Sequence, residues 1–251
     1  MTIYGYRLPP WLALLIWAAL WEIIGQLDVI MLIPPLSAVF AAMGNVLLTH
    51  SFLEAIGITL KAFGIGMALS LVVGITVGIA MGRVRAVDNV MGMWINIFES
   101  SPITAVVPLL LAVLGFGMQT MVVTVFLFSV WVIALDTQVG VKHASASLVE
   151  MARSFGASRR DLYLKVILWA ALPEILAGIR LGIIRAVKGV VIGQLLISVV
   201  GFGQMFELYS SRFLMEHFWA LLFVLFAFAF ALNEGMAWLE RKVEYYAASR
   251  S

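Results

Sequence analysis

The sequence contains no cysteine and few charged residues. The absence of cysteine excludes disulfide bonds and metal sites built on thiolates. Charged residues make up 12% of the chain and hydrophobic residues 63%, whereas soluble domains carry roughly 25% charged residues. This apolar excess is too large for an ordinary soluble core, so the composition indicates a chain surrounded mainly by lipid. The net charge of +2 gives no argument for nucleic acid binding.

Motifs for catalysis and for metal binding are also missing from the sequence. No lysine is followed by Ser or Thr, so the chain has no Walker A loop to hold nucleotide phosphates. The histidines, His50, His143 and His217, are far apart and lack neighbours at ligand spacing, so no metal site is predicted. We therefore predict no catalytic residue and no cofactor bound by this chain.

Long apolar stretches are what the sequence has instead, because a bilayer core needs about 20 such residues per helix. They cover residues 11–30, 57–81, 88–114, 119–139, 176–200 and 217–239. The first could be mistaken for a signal peptide, but no small-residue cleavage site follows it, so we interpret it as a retained span. Pro102 and Pro108 should kink or break the third span. After the first span, Ser37 is predicted to cap a short helix on the membrane surface.

The positions of the lysines and arginines predict how the chain is oriented, because cytoplasmic loops carry an excess of both. Of the 16 Lys and Arg residues, only Lys61 and Arg212 lie on or near one side. With six spans, both termini lie on the other side, with Arg7 and Arg250. We predict an all-α integral membrane protein with about six transmembrane helices, cytoplasmic N and C termini, and a single domain over residues 1–251.

Glycines recur at a spacing of four residues in the second and fifth spans. They are Gly74, Gly78, Gly82, Gly178, Gly182, Gly189 and Gly193. Small residues at this spacing let helix backbones approach closely. The pattern predicts ordinary packing within the membrane or, for the fifth span, a subunit interface or a transport path.

Polar residues inside the third and fifth spans are candidates for a transport path, because ionisable groups in a membrane are costly. The candidates are Glu99, Ser100, Ser101, Pro102, Thr104 and Gln194. Glu99 either faces the path, pairs with a nearby Arg or Lys, or is protonated against a second subunit. Gln194 either lines the path or hydrogen-bonds across helices.

The longest polar segment, residues 140–171, is predicted to form two short helices in the cytoplasm. Ser145 or Ser147 caps the first helix, with Glu150 in its first turn. Gly156 permits the tight turn that ends it. A second helix, which has its own capping residue (Ser158), then leads towards the fifth span.

The first of these helices has an apolar face made by Leu148, Met151 and Ala152 and extended by Phe155. Ser158 is the predicted cap of the second helix. The apolar face needs a partner, so it either folds back on the spans or docks into a groove on another protein.

Glu150, Met151 and Ala152, with Gly156 four residues later, resemble the EAA motif of ABC importer permeases. Met151 stands where that family has alanine, and Trp169 stands where a proline is common. Further stretches resemble the same family. They are Ile33, Pro34, Pro35 and Ser37, then Pro102, Pro108, Leu109 and Leu110, then Gly201, Phe202 and Gly203. Together they are similar to the branch that imports nitrate, sulfonates, taurine and thiamine precursors.

The resemblance implies a type I ABC importer permease-like fold that crosses the bacterial cytoplasmic (inner) membrane several times. It implies a complex of two permease copies, here a homodimer, with two ATP-binding subunits that use the ATP and a substrate-binding protein. Residues 140–171 would then be the loop that couples to the ATPase. Its coupling residues would be Glu150, Met151, Ala152, Arg153, Phe155, Gly156, Arg159 and Arg160. Any one of these arginines contacts either the ATPase or lipid headgroups.

The family resemblance also bears on the cargo, because relatives of this branch often carry an arginine where this chain has Glu99. We therefore expect a neutral or cationic cargo. The alternative function is a secondary transporter or channel that works without an ATPase. That alternative predicts inverted repeats, which the sequence does not show, and it leaves the EAA-like loop without a role.

Overall fold

The computed structural model describes residues 2–3, 6–7, 10–197 and 201–248, and nearly all of them are helical. Two short strands, β1 (Thr2–Ile3) and β2 (Tyr6–Arg7), pair antiparallel ahead of the first helix. The helices are α1 (Pro10–Gln26), α2 (Leu36–Leu47), α3 (His50–Arg83), α4 (Arg85–Ser100), α5 (Val106–Leu114), α6 (Met118–His143), α7 (Ala146–Ser154), α8 (Arg159–Asp161), α9 (Leu168–Ala170), α10 (Leu172–Ile197), α11 (Phe202–Ser211) and α12 (Met215–Ala248). The all-α prediction is confirmed.

Within the described ranges, three helices are long and apolar enough to cross a membrane, namely His50–Arg83, Met118–His143 and Met215–Gly235. The pair Arg85–Ser100 and Ile103–Leu114, bent by 86°, makes a fourth crossing if it counts as one span. The predicted break of the third span is thereby confirmed at Pro102, whereas Pro108 is the third residue of α5 and does not interrupt that helix. The six-span count and the cytoplasmic termini stay predictions, and Arg250 lies outside the described residues.

The helices at the first and fifth predicted spans are not both long and apolar enough to count as crossing helices by the same measure of length and composition. Helix α1 has 17 residues and ends at Gln26, short of residue 30, because the chain turns there and Asp28 has a φ of 50°. In α10, every window long enough to cross a bilayer contains at least three charged residues, which include Arg185 and Lys188. Residues 198–200, the end of the predicted fifth span, lie outside the described part.

Helix α2 begins at Leu36, so Ser37 lies in its first turn and the prediction that Ser37 caps it was wrong. A carboxylate from another helix takes that role. Glu22 of α1 accepts hydrogen bonds from the backbone N–H of Ser37 at 2.9 Å and from its hydroxyl at 2.7 Å. A tertiary contact thus satisfies the exposed N–H at the helix start.

The buried side of α2 joins a hydrophobic cluster with α12. Val39 and Val46 of α2 are fully buried there, as are Leu221 and Leu225 of α12. Helix α2 is therefore held by the core of the protein and does not merely rest on a membrane surface.

Helices α3, α6 and α10 pack closely where glycines leave room for a neighbour. A Cβ on Gly78 would lie 2.5 Å from the carbonyl oxygen of Ala134, a distance that real side chains do not adopt. A Cβ on Gly182 of α10 would lie 2.7 Å from Ile133 of α6. Both α3 and α10 therefore depend on glycine to reach α6, which confirms the prediction of intramembrane packing.

The outward surface of the helices carries large apolar side chains. Leu14, Trp17 and Val113 are 70%, 72% and 73% exposed. An exposed apolar surface of this extent is expected of helices whose neighbours are lipid.

Candidate functional site: coupling segment and membrane path

The polar segment after α6 forms helix α7 with Ser145 at its N-cap, one of the two predicted caps. The Ser145 hydroxyl makes no capping hydrogen bond and instead lies 2.7 Å from the Ser147 hydroxyl. Because α7 starts at Ala146, Glu150 is its fifth residue and lies in the second turn. The prediction that Glu150 lies in the first turn was therefore wrong.

Helix α7 ends at Gly156 in a Schellman motif. The Gly156 N–H donates to the carbonyl of Arg153 at 2.9 Å, and the Ala157 N–H donates to the carbonyl of Ala152 at 3.0 Å. Gly156 has a φ of +77°, which other residues rarely adopt, and open space surrounds its Cα. Glycine is therefore needed here for its backbone conformation and not because a neighbouring atom lies too close for a side chain.

The second short helix starts at the predicted cap. The Ser158 hydroxyl accepts from the Asp161 N–H at 3.1 Å and donates to the Asp161 carboxylate at 2.6 Å. Lys165, 2.6 Å away, and the Ser158 hydroxyl lower the pKa of Asp161. The helix continues as α8, a π-helical turn (Leu162–Ile167) and α9, and then leads into α10.

One face of the segment from α7 to α9, which we call the coupling segment (146–170), is fixed to the spans. Val149 and Ala152 pack against a cluster that includes Val141 of α6. In addition, the guanidinium of Arg83, the last residue of α3, lies 3.3 Å from the ring centroid of Tyr163. A cation–π contact of this kind ties the coupling segment to the end of a membrane-crossing helix.

A neighbouring face of α7 is exposed and apolar. Leu148, Met151 and Phe155 are 39%, 52% and 86% exposed, and we call these three residues the apolar triad. Ala152, predicted on the same face, is turned partly inward to the cluster, because it lies at the border of the two faces. The charged side chains around the triad are exposed as well. They are Glu150, Arg153, Arg159 and Arg160.

The break between α4 and α5 places Glu99 beside a cation. The Arg185 guanidinium of α10 donates a hydrogen bond to the Glu99 carboxylate and forms an ion pair with it. Asp136 of α6 lies within electrostatic reach of both Glu99 and Arg185. It packs against Gly178 of α10, where an added Cβ would lie only 2.7 Å from the Cβ of Asp136. The Glu99 charge is therefore compensated inside the chain, and this contact links α4 to α10.

A groove runs along the other face of α4. Polar and small side chains line it, including Asn89, Asn96, Ser100 and Ser101, together with the apolar side chains of Met93 and Ile97, and the groove is shallow and open. Asp88, at the cytoplasmic end predicted for α4, accepts hydrogen bonds from Gln138 and Lys142 of α6. Helix α4 thus presents an open face of mixed polarity, while ion pairs near both of its ends hold it to α6 and α10.

Residues 70–245 match the model of the family described as "Binding-protein-dependent transport system inner membrane component". The chain belongs to this family. The permease is therefore a transport subunit and not an enzyme, and members of the family span the membrane several times.

Curated relatives agree with the branch that the sequence resembles. The permease is 26% identical to the bicarbonate transport system permease CmpB of Synechocystis sp., over 95% of this chain and 89% of that one. It is 26% identical to the taurine transport system permease TauC of Escherichia coli, over 89% and 84%. It is 27% identical to the formylaminopyrimidine transport permease ThiX of Halalkalibacterium halodurans, over 84% and 82%.

Solved structures share the fold of the permease. A chain of an amino acid ABC transporter solved with histidines superposes with a TM-score of 0.62 at 16% identity, covering 76% of the permease and 94% of that chain. A chain of the MetNI methionine ABC transporter, in an inward facing conformation, gives 0.57 at 20% identity, covering 78% and 96%. At this identity the likeness shows the type I importer permease fold and nothing about cargo.

The predicted path residues fall into two places in the permease. Ser100, Ser101, Pro102 and Thr104 are exposed at the break, beside Glu99. Gln194 lies elsewhere and is fully buried in the described structure.

Gln194 forms hydrogen bonds through both ends of its side-chain amide. Its Nε2 donates to the Thr59 hydroxyl of α3 at 2.7 Å, and its Oε1 accepts from the Gly203 N–H of α11 at 2.9 Å. This geometry supports the cross-helix alternative for Gln194.

Two functional contacts were not foreseen from the sequence of the permease. Pairing with an Arg or Lys was one predicted alternative for Glu99, but Arg185 was not identified as the partner, although a cation at membrane depth is itself a signal for such a pair. Tyr163 showed no signal at all, because its contact with Arg83 joins two distant parts of the chain.

Proposed function

We propose that this chain is the membrane-spanning permease subunit of an ATP-driven importer and that the apolar triad of α7 docks on a separate ATP-binding subunit. The observation that carries the proposal is the exposure of Leu148, Met151 and Phe155 beside a face of α7 that is fixed to the spans. A helix that is held on one face and exposes apolar side chains on a neighbouring face is suited to pass movement from a partner to the membrane helices. The permease itself has no Walker A loop, so the ATP is bound and used by the partner.

The size of the apolar triad fits a docking contact. Full burial of one large apolar side chain contributes about 1.5–3 kcal/mol, and Phe155 is the most exposed of the three. Aromatic anchors in a partner's pocket commonly dominate an interface, and charged residues form its rim. Glu150, Arg153 and Arg159 are placed to form that rim.

The groove on α4 supports the proposal of a second permease copy. Asn89, Asn96 and Ser100 place polar side chains among Met93 and Ile97 on one face of a helix in the membrane. Polar backbone breaks and polar side chains at membrane depth need protein or water around them. We propose that two identical chains place these grooves and the break at Pro102 around a shared path, in the cytoplasmic membrane of a bacterium.

The pairing of Glu99 with Arg185 bears on the cargo. Because Arg185 neutralises the Glu99 carboxylate, the groups left open to a cargo near the break are the hydroxyls of Ser100 and Ser101 and the amide of Asn96. Hydroxyls and an amide both donate and accept hydrogen bonds, so this lining fits a small polar molecule, and the neutral or cationic cargo expected from Glu99 stays a prediction. ThiX, one of the relatives, is named for a formylaminopyrimidine, and a nitrogen heterocycle of that class is the cargo we would assay first.

The docking proposal is tested by purifying the tagged chain from its host in mild detergent as wild type, Phe155→Ser and Phe213→Ser. Phe213 is a matched control, an exposed phenylalanine between α11 and α12. We expect a protein with a Walker A loop to co-purify with wild type and with Phe213→Ser, and to be lost or strongly reduced with Phe155→Ser. A wild-type chain that repeatedly purifies alone while still folded would favour the ATPase-independent transporter instead.

A further inference from the structure

A second cleft lies far from the coupling segment, between the first turns of α3 and helix α11. Its volume is about 240 Å³. Both helices contribute one face, with Ser51, Glu54 and Ala55 on α3 and Gln204, Met205 and Leu208 on α11. No role proposed above uses this cleft.

The cleft has an apolar floor and a polar rim. Ala55 and Met205 are 3% and 5% exposed and form the floor. Glu54 and Gln204 are exposed at the rim, and the Glu54 carboxylate forms no ion pair with any residue that the structure describes. This arrangement fits a group with an apolar stem and a cationic head, which describes a lysine or arginine side chain.

The small volume of the cleft favours a single protein side chain over a transported molecule as its occupant. Pockets that enclose small-molecule ligands are usually about 300–1,000 Å³, which is larger than this cleft of about 240 Å³. A single side chain of a partner protein is therefore the better match.

The position of the cleft indicates which partner supplies that side chain. Helix α3 carries the cleft at its first turns and contacts Tyr163 of the coupling segment through its last residue, Arg83. Its 34 residues extend about 50 Å at 1.5 Å per residue, enough to cross a bilayer. The cleft and the ATPase-docking surface therefore lie on opposite sides of the membrane.

We propose that this cleft receives a lysine or arginine side chain of the substrate-binding protein when that protein docks on the extracytoplasmic face of the permease. The Glu54 carboxylate pairs with the cationic head, Gln204 and Ser51 hydrogen-bond beside it, and the stem lies on Ala55 and Met205. The proposal rests on the proposed function, because it takes the coupling segment to be on the ATPase side.

The occupant is identified by cross-linking from the cleft. The chain has no cysteine, so Leu208→Cys provides a unique thiol at the rim for a thiol-reactive photo-cross-linker, which joins it to any side chain that lies beside it. Intact cells are treated, the tagged complex is purified, and the adduct is identified by peptide mass. We expect an adduct with an extracytoplasmic binding protein, whereas an adduct with a second copy of this chain, or none, would overturn the proposal.

The role of the charge is tested with the captured binding protein, purified and titrated against the whole complex in lipid nanodiscs. We expect Glu54→Gln to weaken its binding about tenfold, with Glu54→Asp retaining part of the affinity. Glu207→Gln, which removes an exposed acid of α11 outside the cleft, should leave the affinity unchanged. Equal affinities for wild type and Glu54→Gln would contradict the role of Glu54.

Co-purification of the ATPase separates this test from that of the proposed function. If the ATPase co-purifies with Leu208→Cys but no binding protein is captured, only the cleft proposal fails. If the ATPase is absent as well, the importer assignment itself fails.

Discussion

The Arg185 guanidinium of α10 pairs with the Glu99 carboxylate at the end of α4. The coupling segment leads directly into α10, and α4 ends at the break that lies beside the proposed path. This ion pair is therefore a direct contact between the helix that follows the coupling segment and the helix that borders the path. Movement of α10 would reach the break through it.

The first prediction concerns this ion pair. We expect Glu99→Gln and Arg185→Gln each to lower uptake strongly and to reduce stability by about 1–3 kcal/mol, because each leaves a half-buried charge without its partner. The double variant Glu99→Arg/Arg185→Glu, which exchanges the two charges, should restore part of the uptake and part of the stability. Uptake in cells and thermal unfolding in detergent measure the two effects.

A matched control for the pair is Lys188→Gln, which removes an exposed cation on the same helix. It should leave uptake and stability near wild type. Normal uptake by Glu99→Gln would contradict a role for the pair in transport, whatever its effect on stability.

The second prediction concerns helix packing. Gly78→Ala should destabilise the protein by about 1–3 kcal/mol, because its Cβ would lie 2.5 Å from the Ala134 carbonyl oxygen and force α3 away from α6. Gly64→Ala on the same helix meets no atom within 4 Å, so it should be neutral or stabilising by up to about 1 kcal/mol. Equal melting temperatures for the two variants would show that the contact with Ala134 is not tight.

The third prediction concerns the buried amide of Gln194. Gln194→Leu should cost about 2–4 kcal/mol, because the Thr59 hydroxyl and the Gly203 N–H lose their buried partner. Gln119→Ala, at an exposed position, serves as the control and should have little effect. If Gln194→Leu folds with normal stability but loses uptake, the path role of Gln194 would be supported over the structural one.

The fourth prediction concerns the turn at Gly156. Because its φ is +77° and open space surrounds it, Gly156→Ala should cost about 1–2 kcal/mol through backbone strain alone. Gly156→Asn should cost less, since asparagine tolerates this conformation better. The amount of ATPase that co-purifies should decrease in the order Gly, Asn, Ala at position 156. An unchanged amount with all three residues would show that docking does not depend on this turn.

Local patterns in the sequence predicted much of the fold and of the coupling segment. Pro102 was expected to break the third span, Gly156 to end a helix and Ser158 to cap the next one, and the structure has all three features. Each depends on the backbone chemistry of one residue and its near neighbours, so a sequence alone carries the information.

The errors arose where distant residues compete with local rules. Ser37 has the side chain of a cap, yet the Glu22 carboxylate fifteen residues earlier fills that place. The partner of Glu99 is 86 residues away in the chain, and no periodicity connects them. The wrong turn was predicted for Glu150 because the sequence allowed either Ser145 or Ser147 as the cap. Glu150 lies in the first turn if Ser147 is the cap and in the second turn if Ser145 is.

The most direct test of the account is a cross-link from the apolar triad. Met151→Cys gives a unique thiol in the exposed face of α7, and a short thiol-reactive cross-linker is applied to membranes in which the complex is intact. We predict an adduct whose second chain contains a Walker A loop, and no such adduct from the control Phe213→Cys. An adduct only with a second copy of the permease, or none from a folded Met151→Cys protein, would contradict the claim that α7 is the ATPase-docking surface.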